Sequence, residues 1–141
     1  MSVPSTPSID VVVGIIEDPD GLVLINQRLA GTHMSGWWEF PGGKRRPHEE
    51  PLAALKRELF EELRIDVRRA APFLQLSHDY PDRRVNLDIW SVGEYDGIPT
   101  SAEGQSLRWV GLDELPGIGL LAADRPIVEA LRVRRFSSAT T

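Results

Sequence analysis

The sequence predicts an α/β domain in which a mixed β-sheet lies between helices. Three observations carry that reading. Runs dense in Val and Ile, such as VVVGII at 11–16, read as buried strands. The stretch LAALKRELFEEL at 52–63 carries leucines at helical spacing. Strand-like and helix-like segments alternate irregularly along the chain rather than falling into separate blocks. The 141 residues, 41% hydrophobic and 26% charged, suit one compact domain with a core of its own.

The elements follow in order. Residues 1–8 are rich in Pro, Ser and Thr and are expected to be disordered. The domain proper spans 9–134. Ile9–Glu17 reads as a buried strand, Asp18–Gly21 as a turn, and Leu22–Arg28 as the partner strand of a hairpin. The turn holds too few oxygen ligands for a calcium loop. Ala30–Gly36 reads as a loop, Trp37–Phe40 as a short extended piece, and Pro41-Gly42-Gly43 as a sharp turn. Residues 50–64 read as a helix with Pro51 in its first turn, where proline is tolerated. Strands are expected near Val67–His78 and Arg84–Glu94, since Val85, Leu87 and Ile89 alternate with polar residues. A short strand near Leu107–Val110 and a helix from about Asp124 to Val133 complete the domain, and residues 135–141 read as a disordered tail.

Composition excludes several function classes. There is no cysteine, which removes disulfides, thiolate metal sites and a cysteine nucleophile together and fits a reducing, cytoplasmic location. The run VVVGII is far short of the ~20 apolar residues of a membrane-spanning helix. MSVPSTPS lacks the basic and apolar regions of a signal peptide. A formal net charge of −5 argues against binding long nucleic acid, though a small anionic substrate fits if a metal cation or a local arginine cluster supplies positive charge. Such a protein needs no large assembly, and a monomer or weak dimer is expected.

The chemistry-bearing stretch is GGKRRPHEEPLAALKRELFEEL at 43–64. At about 100° per residue, Leu52, Leu55, Leu59 and Leu63 form one stripe of the helix. Glu58, Glu61 and Glu62 stand at i, i+3 and i+4 on the neighbouring face, where like charges repel. Clustered carboxylates are what hard divalent cations bind, Mg²⁺ or Mn²⁺ by preference. Taken alone, the same spacing also describes an ordinary solvated acidic face.

The glutamates do not stand alone. Gly43, Glu49, Arg57-Glu58, Leu59, Glu61-Glu62 and Ile65 match, at the right intervals, the box G-x5-E-x7-R-E-U-x-E-E-x-G-U, with U apolar. The segment therefore resembles the Nudix hydrolase family. One position departs, because Arg64 stands where the family has its second glycine. Glycine there favours the helix C-cap but supplies no chemistry. Val12–Ile16, Arg28, His33-Met34, WEFPGGK at 38–44, YPDR at 80–83, EGQ at 103–105, RWVGLDELP at 108–116 and RPIVEAL at 125–131 are similar to the MutT branch of that family.

The resemblance implies a Nudix fold and hydrolysis of a nucleoside diphosphate derivative. For the MutT branch it implies conversion of 8-oxo-dGTP to the monophosphate and pyrophosphate. It implies a divalent cation, Mg²⁺ with Mn²⁺ as substitute, held by Glu58, Glu61, Glu62 and the Gly43 carbonyl. Such a cation neutralises phosphate charge and acidifies water. Glu49 and Arg57 match positions that brace the loop against the helix. The general base is Glu103 or Glu58, unless Glu103 is only an exposed loop residue. Arg28 matches a phosphate contact, or else is a plain strand arginine. Phe40 lines the purine or packs the core, or does both. Asp82 contacts the base or merely turns the chain. His33 belongs with the substrate-binding positions, and His33, His48 and His78 share no metal-ligand spacing. Asp124 replaces a purine-reading asparagine of the branch. It either reads the base, in its neutral form, or caps the last helix.

Three functions remain on these grounds: a MutT-like pyrophosphohydrolase, a Nudix hydrolase for another nucleotide derivative, and a non-catalytic Nudix-fold binding module.

Overall fold

The computed structural model describes residues 7–139, with side chains described to residue 137. The disorder expected for residues 1–6, 140 and 141 concerns positions outside the described residues.

Two sheets form one layer between two helices, and both contribute side chains to the core on each face. The first has the order β4-β1-β6-β5, with β1 at Ser8–Ile16, β4 at Gly42–Lys44, β5 at Asp66–Tyr80 and β6 at Arg83–Asp96. The second has the order β3-β2-β7, with β2 at Val23–Gln27, β3 at Trp38–Glu39 and β7 at Leu107–Val110. In the first sheet β1 runs parallel to β6, in continuous register from Ser8 opposite Arg84 to Ile16 opposite Val92, whereas β4 and β5 are antiparallel to their neighbours. The sheet is therefore mixed, as expected.

Side-chain alternation along β1 separates two cores. Val13 and Ile15 face a core closed by α2 (Arg125–Ala139) through Ile127, Val128 and Leu131. Val12 and Ile16 face a core closed by α1 (Pro51–Leu63) through Ala54, Leu55, Leu59 and Leu63. The leucine stripe read from the sequence is the one that packs.

Four expectations are corrected. First, Leu22–Arg28 is not a hairpin partner of β1. A lone bridge, Glu17 to Val23, joins the two segments, and β2 then leaves for the second sheet. The reason is burial: Val23, Leu24, Ile25 and Asn26 are buried in succession, with Val23 and Ile25 in one core and Leu24 in the other. Second, Gly42-Gly43 is a short strand against Val12 and Val13, not a turn. A Cβ on Gly42 would lie 2.0 Å from the Val12 carbonyl oxygen, so only glycine permits this approach. Third, α2 continues to Ala139 through part of the expected tail. Arg134 and Arg135 pair with Glu17, at 2.6 and 3.6 Å, and hold that extension against the end of β1. Fourth, β5 and β6 are longer than read, and Tyr80 and Arg83 close their hairpin around Pro81-Asp82. Among the described residues no helix is long and apolar enough to cross a membrane.

Candidate active site

The site is built where α1, β4 and β2 meet. Pro51 opens α1, and its last turn ends on Arg64 in the left-handed conformation (φ 58°, ψ 33°), the geometry a glycine would favour. β4 lies against the helix so closely that a Cβ on Gly43 would sit 2.1 Å from Glu58 Oε2. The two glycines thus serve different purposes: Gly42 lets the backbone meet β1, and Gly43 makes room for a carboxylate.

Arg57 organises the turn between them. Its Nε and NH2 donate to the two oxygens of Glu49 at 2.8 and 2.9 Å, a forked pair. Its remaining bonds go to Glu58 Oε1 at 2.8 Å, Glu61 Oε2 at 3.4 Å and the Lys44 carbonyl at 3.1 Å. The hydrogen bond from Arg57 holds the Glu49 carboxyl down at about 2, helped by the Arg46 N–H. Glu49 and Arg57 thus sit together between β4 and α1.

A cavity of about 190 Å³ opens beside this brace, lined by Arg28, Glu39, Gly42, Glu58, Glu62, Glu103 and Gln105 among others. Glu62 is only 7% exposed. It accepts from the Gly42 N–H at 3.2 Å and from Gln105 Nε2 at 3.3 Å. Burial, and then the neighbouring Glu39 carboxylate, push Glu62 up to about 8. Burial also raises Glu58 and Glu39, against the opposing pull of Arg57 and Arg28 respectively. Glu61 points outward, with its side chain about half exposed and its bond to Arg57.

The three box glutamates are therefore not gathered into one shell. Among the described residues no three acidic or histidine side chains stand as a ready-made metal cluster. Arg57 holds Glu58 and Glu61, while Glu62 turns inward. The donor set nevertheless fits a hard divalent cation. It is all oxygen, and it holds more buried carboxylate than the nearby arginines neutralise.

A second cavity, about 280 Å³, adjoins the first and shares Arg28, Glu39 and Gly42 with it. Its walls include His33, Phe40, Tyr80, Arg83, Leu121 and Asp124. Phe40 is 3% exposed and belongs to the α2-side core as well as to this wall. Asp124 is buried, and its Oδ2 accepts the Phe40 N–H at 2.9 Å, 84 residues away in sequence. Burial pushes its carboxyl up to about 7, and Glu39 adds to the rise. His33 is exposed at the rim, where its carbonyl accepts from Arg28 Nε and its ring meets Tyr80 edge-on. Arg28 bridges both cavities and pairs with Glu39 at 3.2 Å.

Asp82, like Glu61, stands apart from both cavities. It lies on the exposed hairpin turn and is absent from both cavity walls, where Tyr80 and Arg83 stand instead. Glu39, Gln105, Tyr80 and Arg83 had no sequence-level assignment. The first two lie inside the quoted WEFPGGK and EGQ stretches, and the last two flank Asp82, so neighbourhood alone was the signal. A larger hollow of about 360 Å³ near Asp10 and Arg45 is a different kind of surface. Its polar groups satisfy one another: Asn86 Nδ2 donates to Asp10 and Ser8, and Ser77 Oγ donates to Asn86.

The family model described as the NUDIX domain matches residues 12–130. The chain is 35% identical over 124 residues to the 8-oxo-dGTP diphosphatase of Escherichia coli, covering 88% of this chain and 96% of that one. It is 37% identical over 127 residues to the CTP pyrophosphohydrolase of the same organism, covering 90% and 93%. A solved structure from work on MutT of Aliivibrio salmonicida and Vibrio cholerae superposes with a TM-score of 0.78 at 32% identity, covering 90% of this chain and 98% of that one.

Proposed function

The chain belongs to the Nudix family of hydrolases, and on that footing we propose that it is a nucleoside triphosphate pyrophosphohydrolase that removes 8-oxo-dGTP, releasing 8-oxo-dGMP and pyrophosphate. The observation that carries the reading is the pair of adjoining cavities. One is acidic and suits cation-bound phosphates, the other is more apolar with the buried Asp124 in its wall and suits a base, and Arg28 stands between them.

Members of the family work with a divalent metal, and Mg²⁺ is the ion we assign, with Mn²⁺ as substitute. Glu58, Glu61, Glu62 and the Gly43 carbonyl would hold it. When bound, the ion supplies neutralisation of phosphate charge and acidification of water.

The chain's own residues do the rest. Glu49 and Arg57 fix β4 against α1, so that Gly43 and Glu58 keep their places. Arg28 meets the phosphates. Glu58 is held by Arg57, which leaves Glu103 on the cavity wall as the better placed proton acceptor. Phe40 packs on the base, where stacking is worth about 1–3 kcal/mol. Asp124 reads an edge of the base. The substrate is a small nucleotide, not long nucleic acid and not a membrane. We place the protein in the cytoplasm as a monomer or weak dimer.

Two observations favour a second reading. Asp124 puts a carboxyl where the branch has an amide, and one relative at 37% identity is a CTP pyrophosphohydrolase. A nucleotide panel with Mg²⁺, its products resolved by chromatography, separates the two. The expected result is fastest turnover of 8-oxo-dGTP, abolished by EDTA and restored by excess Mg²⁺. Faster turnover of CTP would replace the first reading by the second. No hydrolysis of any nucleoside triphosphate, or full turnover in chelator, would overturn both.

A further inference from the structure

Glu62 is bonded from three directions. Its carboxyl accepts from Gly42 N–H at 3.2 Å and from Gln105 Nε2 at 3.3 Å. Its main-chain carbonyl accepts from Ala102 N–H at 3.1 Å. Two of those three bonds come from one loop, the connection between β6 and β7, which also donates Thr100 N–H to the Leu63 carbonyl at 3.0 Å. Just past Gln105, the Ser106 carbonyl accepts from Gln27 N–H at 2.9 Å. Between Ala102 and Gln105 only Glu103 and Gly104 remain, and Gly104 takes the left-handed conformation (φ +89°) that turns the chain between the anchors. Glu103 thereby reaches the wall that Glu58 and Glu62 share.

Gln105 is 7% exposed, and its amide has a definite orientation. Ser101 Oγ donates to Gln105 Oε1 at 3.1 Å, which leaves the NH₂ group to face Glu62.

We propose that Gln105, oriented by Ser101, is a positioning residue that locks the Glu103 loop to α1 through Glu62. Glu103 and Glu62 then share one mechanical support, although one lies on a loop and the other on a helix. The catalytic consequence rests on the pyrophosphohydrolase reading above, whereas the clamp itself does not.

The test has two arms. In the nucleotide-free, metal-free protein, amide hydrogen exchange is followed at Ala102, with Leu59 inside α1 as the internal reference. Gln105→Met keeps the length and removes both polar atoms. It should speed exchange at Ala102 by about tenfold or more while Leu59 is unchanged, because a local opening is separable from global unfolding. Ser101→Ala, at an exposed position, should act in the same direction to a smaller extent. In the second arm, kcat is measured for Gln105→Met, Glu103→Gln and the double variant. The double variant should be about as slow as Glu103→Gln alone, a coupling of about three- to thirtyfold, with the nucleotide KM little changed. Unchanged exchange at Ala102, or two effects on kcat that simply multiply, would overturn the proposal. If Gln105→Met does not fold, Ser101→Ala takes both measurements to the same decision. A wild-type protein that hydrolyses no nucleotide overturns the proposed function, and the exchange arm still decides the clamp.

Discussion

Asp124 shows how much a single residue draws on its surroundings. One carboxyl oxygen is engaged by the Phe40 N–H; on the proposed function the other would meet the base, as a donor when protonated and as an acceptor when ionised. With the group pushed up to about 7, that switch falls near neutral pH. Oxidation of guanine at C8 turns N7 into a donor beside the acceptor O6, and a neutral acid offers O6 the hydrogen that an ionised one lacks. The ratio of kcat/KM for 8-oxo-dGTP over dGTP should therefore fall as pH rises through about 7. Asp124→Asn should flatten that dependence. A mismatch of this kind costs on the order of 1–3 kcal/mol, or ~5–150-fold in selectivity. Stability carries the same signature. The folded state binds this proton more tightly than the unfolded chain, where the ordinary value is 3.8, so the stabilisation is complete below about 4 and is lost as pH rises through about 7. Urea midpoints should show wild type falling behind Asp124→Asn across that window, and parallel curves would remove Asp124 as the cause. Gly43 makes a complementary case, in which function is held by a missing atom. Gly43→Ala would drive its Cβ into the Glu58 carboxylate, 2.1 Å away. We expect loss of most activity with little change in the thermal midpoint, since the displaced group is a side-chain end and not backbone; an active variant would show that Glu58 can move without consequence.

At the scale of the element, α1 ends on a residue that its backbone does not favour. Arg64 holds φ 58° at the C-cap, where a left-handed non-glycine residue costs roughly 1–2 kcal/mol. A stacking contact of its guanidinium with the Phe60 ring, 5.4 Å away, recovers part of that. Arg64→Gly should stabilise the protein by about 0.5–1 kcal/mol without changing kcat, because the residue is exposed and touches neither cavity. Equilibrium unfolding reads the first quantity and steady-state rates the second. A destabilised variant would mean that the Phe60 contact outweighs the backbone strain.

The whole molecule is two cores joined through shared strands. β1 sends alternate side chains to each, and β2 is buried on both sides. Leu131→Ala removes a side chain 1% exposed from the α2-side core and should cost about 2–5 kcal/mol. Because β1 and β2 belong to both cores, unfolding of that variant should remain one cooperative transition by fluorescence and by circular dichroism. Two separated transitions would show that the α1 core stands alone.

The sequence by itself determined the α1 face and the identity of its chemistry. Helix geometry is local, so spacing alone puts the leucines on the core and the glutamates beside them, and the box intervals carry Gly43, Glu49 and Arg57 with them. The apolar runs of β1 and β6 and the proline at the start of α1 were legible for the same reason. Tertiary structure decided what local geometry cannot. Which strand β2 pairs with depends on two cores that form only when distant segments meet. Whether Gly42-Gly43 turns or pairs depends on β1 lying against it. That Glu61 faces outward while Glu62 is buried follows from Arg57 and Gln105, the second of which is 43 residues away from the glutamate it holds. The Phe40 and Asp124 contact spans 84 residues, and the exposure of Asp82 reflects a hairpin that extends past its expected end. Burial and partner choice are properties of the assembled surface, and they set which acids are raised, which are paired and which merely turn the chain.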